Sequence, residues 1–310
     1  MNLFMENKPH IRSKDSSNII MSDILIAMAF LVVLSFLFFG IRPLYIILSS
    51  VIICYILDTT CISLRKKRFF ASDLSSIITA VIISLLMPAT IPLYVPITAS
   101  AFSILIIKQC FGGLGQNIFN PAAGGVAFAA LCWPDQIFKY TITDIVSTTD
   151  FLVPSALSSL KYGKYPVIEI LDMLIGKQPG SIGTIHILVI LSCLIWLIIR
   201  KSIYFPSIVS FLATCAIIAF IFPRIHSNRM MSVIYELLSG SLLFGCIFIM
   251  TDPVTSPKHN CAKILYSIII GILTMIFRYY SDLEQGICFA ILLGNSIAFS
   301  LDKLSFYLRI

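Results

Sequence analysis

Charge is what this chain has least of: only 12% of its 310 residues are Asp, Glu, Lys or Arg, against 58% hydrophobic. That balance excludes a disordered or freely soluble chain. Histidine is scarce as well, and His10, His186, His226 and His259 are dispersed, none with a partner at metal-ligand spacing. The nine cysteines include no CxxC pair, which removes the usual dithiol and zinc motifs. Cys54, Cys132, Cys193, Cys215, Cys246 and Cys288 fall singly in apolar runs and read as small hydrophobes. Cys110 and Cys261 flank two unusual turns and stay as redox or ligand candidates. No Walker or dinucleotide fingerprint follows a strand pattern.

What the chain has is hydrophobic length. A bilayer takes about 20 apolar residues per helical crossing, and ten runs qualify: 19–40, 42–63, 73–91, 93–109, 121–133, 183–199, 203–222, 231–250, 262–278 and 285–302. The expected fold is an all-α polytopic membrane protein of about ten transmembrane helices. Lys8, Arg12 and Lys14 precede the first run without a small-residue cleavage signature, which predicts an uncleaved anchor. With the N-terminus inside, 14 basic residues fall on the inner side and 8 on the outer, so both termini are expected in the cytoplasm, at the cell (inner) membrane. The net charge of +7 then reflects topology and anionic lipid; no basic cluster beyond Arg65–Arg68 suggests nucleic acid.

The fifth run is short, and backward it reaches only Phe111-Gly112-Gly113-Leu114-Gly115-Gln116-Asn117-Ile118-Phe119-Asn120-Pro121-Ala122. In hydrocarbon an unpaired N–H or C=O costs several kcal/mol, so irregular backbone survives there only inside protein or beside a polar cavity. Gly112, Gly113, Gly115, Asn117 and Asn120 are therefore candidate site residues, the glycines permitting close backbone approach. The plainer alternative is a helix–helix connection in which Asn120 caps a helix with Pro121 at its first position.

Residues 134–182 break the apolar pattern and are expected as an extracytoplasmic loop, with a short amphipathic helix over 167–175. The loop separates a cytoplasmic segment 1–18 and a first set of five spans, 19–133, from a second set with a short tail, 183–310. The third span of each set ends alike, in Met87-Pro88-Ala89-Thr90-Ile91-Pro92 and in Met250-Thr251-Asp252-Pro253-Val254-Thr255-Ser256-Pro257. Five is odd, so the second set enters with opposite polarity, and the pairing suggests two inverted five-helix repeats. Asp252, at the edge of an apolar run with Thr251 and Thr255, either meets a ligand or ion, or ends a helix in an Asp-Pro turn. Glu236 is a second carboxylate in that run and is expected at a wet helix start on the outer side.

These motifs, with Pro179-Gly180-Ser181-Ile182-Gly183 and Ser239-Gly240, closely resemble the D subunits of Rnf electron-transport complexes across nearly the whole chain. The homologous B subunits of sodium-translocating NADH:quinone reductases are similar but less close. The resemblance implies a membrane subunit that relays electrons by flavin between ferredoxin and NAD, coupled to sodium or proton movement, with the other subunits of the complex as partners. It also implies FMN, joined by a phosphoester to a threonine in the outer loop, and places Gly180 and Ser181 near the cofactor.

The attachment motif of the resembled family reads Asp, two variable residues, Ser, a small residue, Ala, Thr, Pro, Leu. Here the segment is Asp144-Ile145-Val146-Ser147-Thr148-Thr149-Asp150-Phe151-Leu152. Asp144, Ser147 and Leu152 match, but Asp150 takes the threonine's place, and its carboxylate offers only a labile acyl phosphate. Three options follow: attachment shifted to Thr149, loss of the covalent link, or realignment onto Ser155 with Ala156, Leu157, Leu160 and Lys161. Thr184 and His186 also replace the family's Glu and Ser. A permease-like or scaffold protein of the same architecture is the competing reading.

Overall fold

A computed structural model of the chain describes residues 17–66, 73–140, 155–163, 165–225, 228–281 and 284–307. Among them every regular element is helical: α1 (Ser17–Phe39), α2 (Arg42–Lys66), α3 (Leu74–Leu85), α4 (Tyr94–Phe102), α5 (Pro121–Cys132), α6 (Pro134–Ile137), α7 (Ala156–Lys161), α8 (Ile170–Ile175), α9 (Ile187–Ile199), α10 (Phe205–Ile221), α11 (Arg229–Leu238), α12 (Leu242–Phe248), α13 (Asn260–Tyr280) and α14 (Gly286–Tyr307). Four of these, α1, α2, α13 and α14, are long and apolar enough to cross a membrane; α11 and α12 make a fifth if the pair, bent by 52°, is one span. The other apolar helices are shorter, at 10–17 residues. The eighth run, expected as one helix, is thus interrupted: Gly240 turns at φ 65° and Ser239 and Ser241 flank it.

Large apolar side chains such as Phe30, Leu37, Leu48, Ile217 and Phe299 point outward from α1, α2, α10 and α14, as in helices that face lipid. The interior is built differently. In α5 the buried positions are nearly all Ala and Gly, and every residue of α12 is buried. Small residues let backbones approach, which is how helices pack where lipid is as apolar as their side chains. At Gly125 an added Cβ would lie 2.9 Å from the Ala99 carbonyl oxygen and 2.8 Å from Ile83. Helix propensity favours Ala over Gly by roughly 0.5–1 kcal/mol, but this contact reverses the sign. Gly125→Ala is expected to lower the melting temperature of the detergent-purified chain; a rise would mean that α4 and α5 can separate freely.

Helix polarity follows from the end contacts. Asp23 near the start of α1 accepts from Arg200 at the end of α9 (3.0 Å), while Phe38 near the end of α1 meets His186 before α9 at 4.5 Å between ring centroids. These two helices are antiparallel. So are α5 and α14, since Tyr140 beyond the end of α5 bonds Glu284 before α14. Beyond α5, among the described residues, α7 and α8 turn Leu157, Leu160 and Met173 into buried positions. The helix expected over 167–175 is confined to Ile170–Ile175.

Candidate functional site

The glycine-rich turn begins in a π-helical segment, Ser103–Gln109, that continues α4. The Cys110 N–H reaches the Leu105 carbonyl at 3.2 Å, five residues back, and such a widened turn is often found at functional positions. Its last residues carry a buried polar cluster. Lys108 Nζ donates to Asp58 Oδ2 on α2 and to Ser75 Oγ on α3, both at 2.8 Å, and Gln109 Nε2 donates to Asp58 Oδ1. Arg65, in the last turn of α2, donates to the Gln109 carbonyl and side chain and to the Gly112 carbonyl. Gly112, Gly113 and Gly115 then turn at φ 118°, 94° and 85°, a region where side chains are strained.

The turn ends at Asn120. Its Oδ1 accepts from the Ala123 N–H at 3.0 Å, capping α5, with Pro121 at the first helical position. Its Nδ2 donates to Asp252 Oδ2 at 3.2 Å, 132 residues away. The cap and the candidate site residue are therefore one side chain. Asn117 closes the turn by donating to the Phe119 carbonyl at 3.1 Å. Asp252 also accepts from Thr255 Oγ1 (2.9 Å) and the Val254 N–H (3.3 Å), while Thr251 Oγ1 bonds back to the Ile247 carbonyl at 2.6 Å. Burial raises the Asp252 carboxyl above its ordinary value, and these donors oppose the rise. Asp252, Asn117, Asn120 and Lys108 line a common cavity of about 60 Å³, room for a few waters. The structure thus brings together Asn117, Asn120 and Asp252, with Thr255 one hydrogen bond behind.

A second cluster lies at the opposite end of α5, whose 12 residues cover about 18 Å. There the last carbonyls of α3 are satisfied from other parts of the chain: Gly183 N–H on Leu85, Ile182 N–H on Met87, and Gln285 Nε2 on Leu86. Gly180 and Ser181 belong to this segment, Ser181 being 2% exposed. The Tyr140 hydroxyl bonds Ser181 and Glu284. Burial pushes both the Glu284 carboxyl and the Tyr140 phenol above their ordinary ranges. Ser155 Oγ donates to Glu284 and accepts from the Ser158 N–H at 3.0 Å, so it caps α7 and is 6% exposed. Thr149, Asp150 and the rest of segment 141–154 lie outside the described residues.

One expectation is overturned. Glu236 is not at a wet helix start: it is fully buried, 3.2 Å from Arg224 Nε and 3.2 Å from Arg278 Nη1, with Arg278 buried beside it and the Arg224 side chain 8% exposed. A carboxylate flanked by two guanidiniums is stable without water, which its position in the sequence did not reveal. Asp58 and Lys108 were not singled out from the sequence either. The available signal was a lone charge inside or ending an apolar run, which demands a partner. Among the described residues no cluster of three or more His, Cys, Asp or Glu could hold a metal. Cys110 is exposed and Cys261 half-buried, and both are free.

A family model described as the NQR2, RnfD, RnfE family matches residues 4–306. The D subunit of the sodium-translocating ferredoxin:NAD(+) oxidoreductase complex of Acetobacterium woodii is 32% identical, over 95% of this chain and 91% of that protein. Its counterpart in the proton-translocating ferredoxin:NAD(+) oxidoreductase complex of Clostridium ljungdahlii is 29% identical over 97% and 94%. The D subunit of the ion-translocating oxidoreductase complex of Actinobacillus succinogenes is 28% identical over 94% and 93%.

Proposed function

The chain belongs to the NQR2, RnfD, RnfE family, and from that membership we propose that it is the D-type membrane subunit of an Rnf-type complex, relaying electrons by flavin between ferredoxin and NAD while sodium or protons cross the membrane. It works with the other subunits of that complex and has no independent catalytic activity. The relatives named as ferredoxin:NAD(+) oxidoreductase subunits support the complex and its coupling. The observation that carries the structural half is a pairing of the two halves of the chain. Asn120, heading α5, bonds the turn after α12, and Gln285, heading α14, bonds the end of α3. With α1 antiparallel to α9 and α5 antiparallel to α14, this supports ten spans in two inverted repeats with both termini on one side, and the excess of Lys and Arg on that side is the ground for placing them in the cytoplasm.

On this reading the Asn120–Asp252 end serves the ion path or a flavin, and the Tyr140–Glu284 end supports the outer loop that holds FMN. The cluster offers hydroxyls, amides and a carboxyl in a small enclosed space, a donor set suited to holding the loop's base. A bound FMN supplies the electron-accepting isoalloxazine; the chain supplies its position. Of the two hydroxyl anchors, Thr149 is favoured. The Ser155 hydroxyl already caps α7 and bonds Glu284 and is buried, which leaves it poorly placed for a flavin-transfer enzyme.

The test is the intact mass and in-gel flavin fluorescence of the denatured chain, made in cells that supply such an enzyme. An FMN-sized added mass, lost in Thr149→Ala and kept in Ser155→Ala, is the expected result. An unmodified wild-type chain would remove the covalent flavin and favour the transport or scaffold reading.

A further inference from the structure

We propose that a cavity between α10, α13 and the turn after α12 binds a phosphate-bearing anion. It has a volume of about 300 Å³ and is lined by Lys201, Lys263, Ser207, Ser256, Thr251 and Tyr266, with no acidic side chain in its wall. A liquid water takes about 30 Å³, so a phosphate group fits with several waters around it.

The charge in this space is uncompensated. Neither Lys201 nor Lys263 forms an ion pair among the described residues, and the neighbouring carboxylates are all engaged elsewhere. Asp23 holds Arg200 and Ser202, Asp302 accepts from the Lys258 and His259 N–H groups, and Asp252 faces Asn120, Thr255 and Val254. The Lys263 ammonium sits 5.1 Å from the Tyr204 ring, a contact that holds a cation in place without neutralising it. Ser207, 6% exposed, and Ser256 have hydroxyls with no partner among the described residues. Two cations and two free hydroxyls converging on one polar space match the donors that a phosphate's oxygens require.

Lys201 gives an independent reason. Its N–H bonds the Ile198 carbonyl and that of Ser202 bonds Leu197, both at 3.0 Å, which closes α9 in the motif that ordinarily ends on glycine. Lys201 occupies that place at φ 56°, the one described non-glycine residue with a positive φ. Glycine would close the helix with less strain; the residue found there is instead a lysine whose side chain lines the cavity. The phosphate belongs either to a soluble anion or to a lipid headgroup, for which Ile20 and Ile203 supply an apolar rim.

The experiment uses the full chain purified in neutral detergent. Radiolabelled inorganic phosphate is titrated in one arm; in the other, native mass spectrometry counts retained phosphatidylglycerol against phosphatidylcholine. Losing one charge-assisted contact weakens binding about tenfold, so Lys201→Gly and Lys263→Gln should each do so. Lys201→Gly should meanwhile melt no lower than wild type, since it relieves the backbone. Phosphate binding that weakens in both variants identifies a soluble anion; selective phosphatidylglycerol retention that weakens in both identifies a headgroup. No phosphate binding together with equal retention of both lipids overturns the proposal, as does binding in either arm that both variants leave unchanged.

Discussion

Replacing Lys108 with Met lowers the stability of the chain by about 3–5 kcal/mol, the largest loss expected of a single substitution in the turn region. Lys108 is 2% exposed and Asp58 fully buried, so removing the ammonium takes away a positive charge 2.8 Å from a carboxylate in a medium that solvates it poorly. Gln109 still donates to Asp58, which softens the loss without cancelling it. The pair itself is not the source of stability, because desolvating two charges consumes most of their attraction. The double variant Asp58→Leu/Lys108→Met should therefore regain much of what either single change loses, a non-additivity expected of groups in contact. Thermal unfolding of the four proteins in one detergent measures it. If the two losses simply add, Lys108 and Asp58 are independent, and the pair does not tie α2 to the start of the glycine-rich turn.

That tie explains why the turn was legible in the sequence while its support was not. Gly112, Gly113 and Gly115 announce a break because they are glycines between apolar runs, and Asn120-Pro121 announces a helix start. Both are local rules and both appear at those residues. The Asp-Pro turn at Asp252 is legible for the same reason. What holds these features is long-range: Asn120 reaches Asp252 across 132 residues and Lys108 reaches Asp58 across 50. No periodicity encodes such pairs. The eighth run shows the same limit from the other side, because its hydropathy is continuous while its helix bends by 52° at Ser239–Ser241, where Arg278 Nη2 takes the Ser239 carbonyl at 2.8 Å. A guanidinium from α13 there satisfies a carbonyl at the break, whereas apolar counting leaves that arginine only as the last residue of the ninth run, with no partner named. The Glu236 reading failed for the same cause.

Replacing Asp252 with Asn separates the two roles open to that turn. If Asp252 is only a tie, an amide serves nearly as well. Its oxygen, placed where Oδ2 sits, still accepts from the Asn120 and Thr255 side chains, and the 3.3 Å bond from the Val254 N–H is lost, at about 1 kcal/mol. Against this stands a gain. Burial raises the Asp252 carboxyl above its ordinary value, so the stability linked to this group is fully present below the ordinary carboxylate range and is lost as pH rises through the raised value. Asn carries no such dependence. Asp252→Asn should accordingly melt near wild type at neutral pH and fall below it as the pH drops far enough to protonate Asp252. With fold and assembly preserved, any change in ion movement then reports on the charge alone. We expect ferredoxin-driven sodium or proton uptake by vesicles carrying the whole complex to fall at least tenfold, because a neutral amide neither binds a cation by charge nor exchanges a proton. Full uptake in an Asp252→Asn complex would leave the residue as a structural tie and move the ion path away from this end of α5.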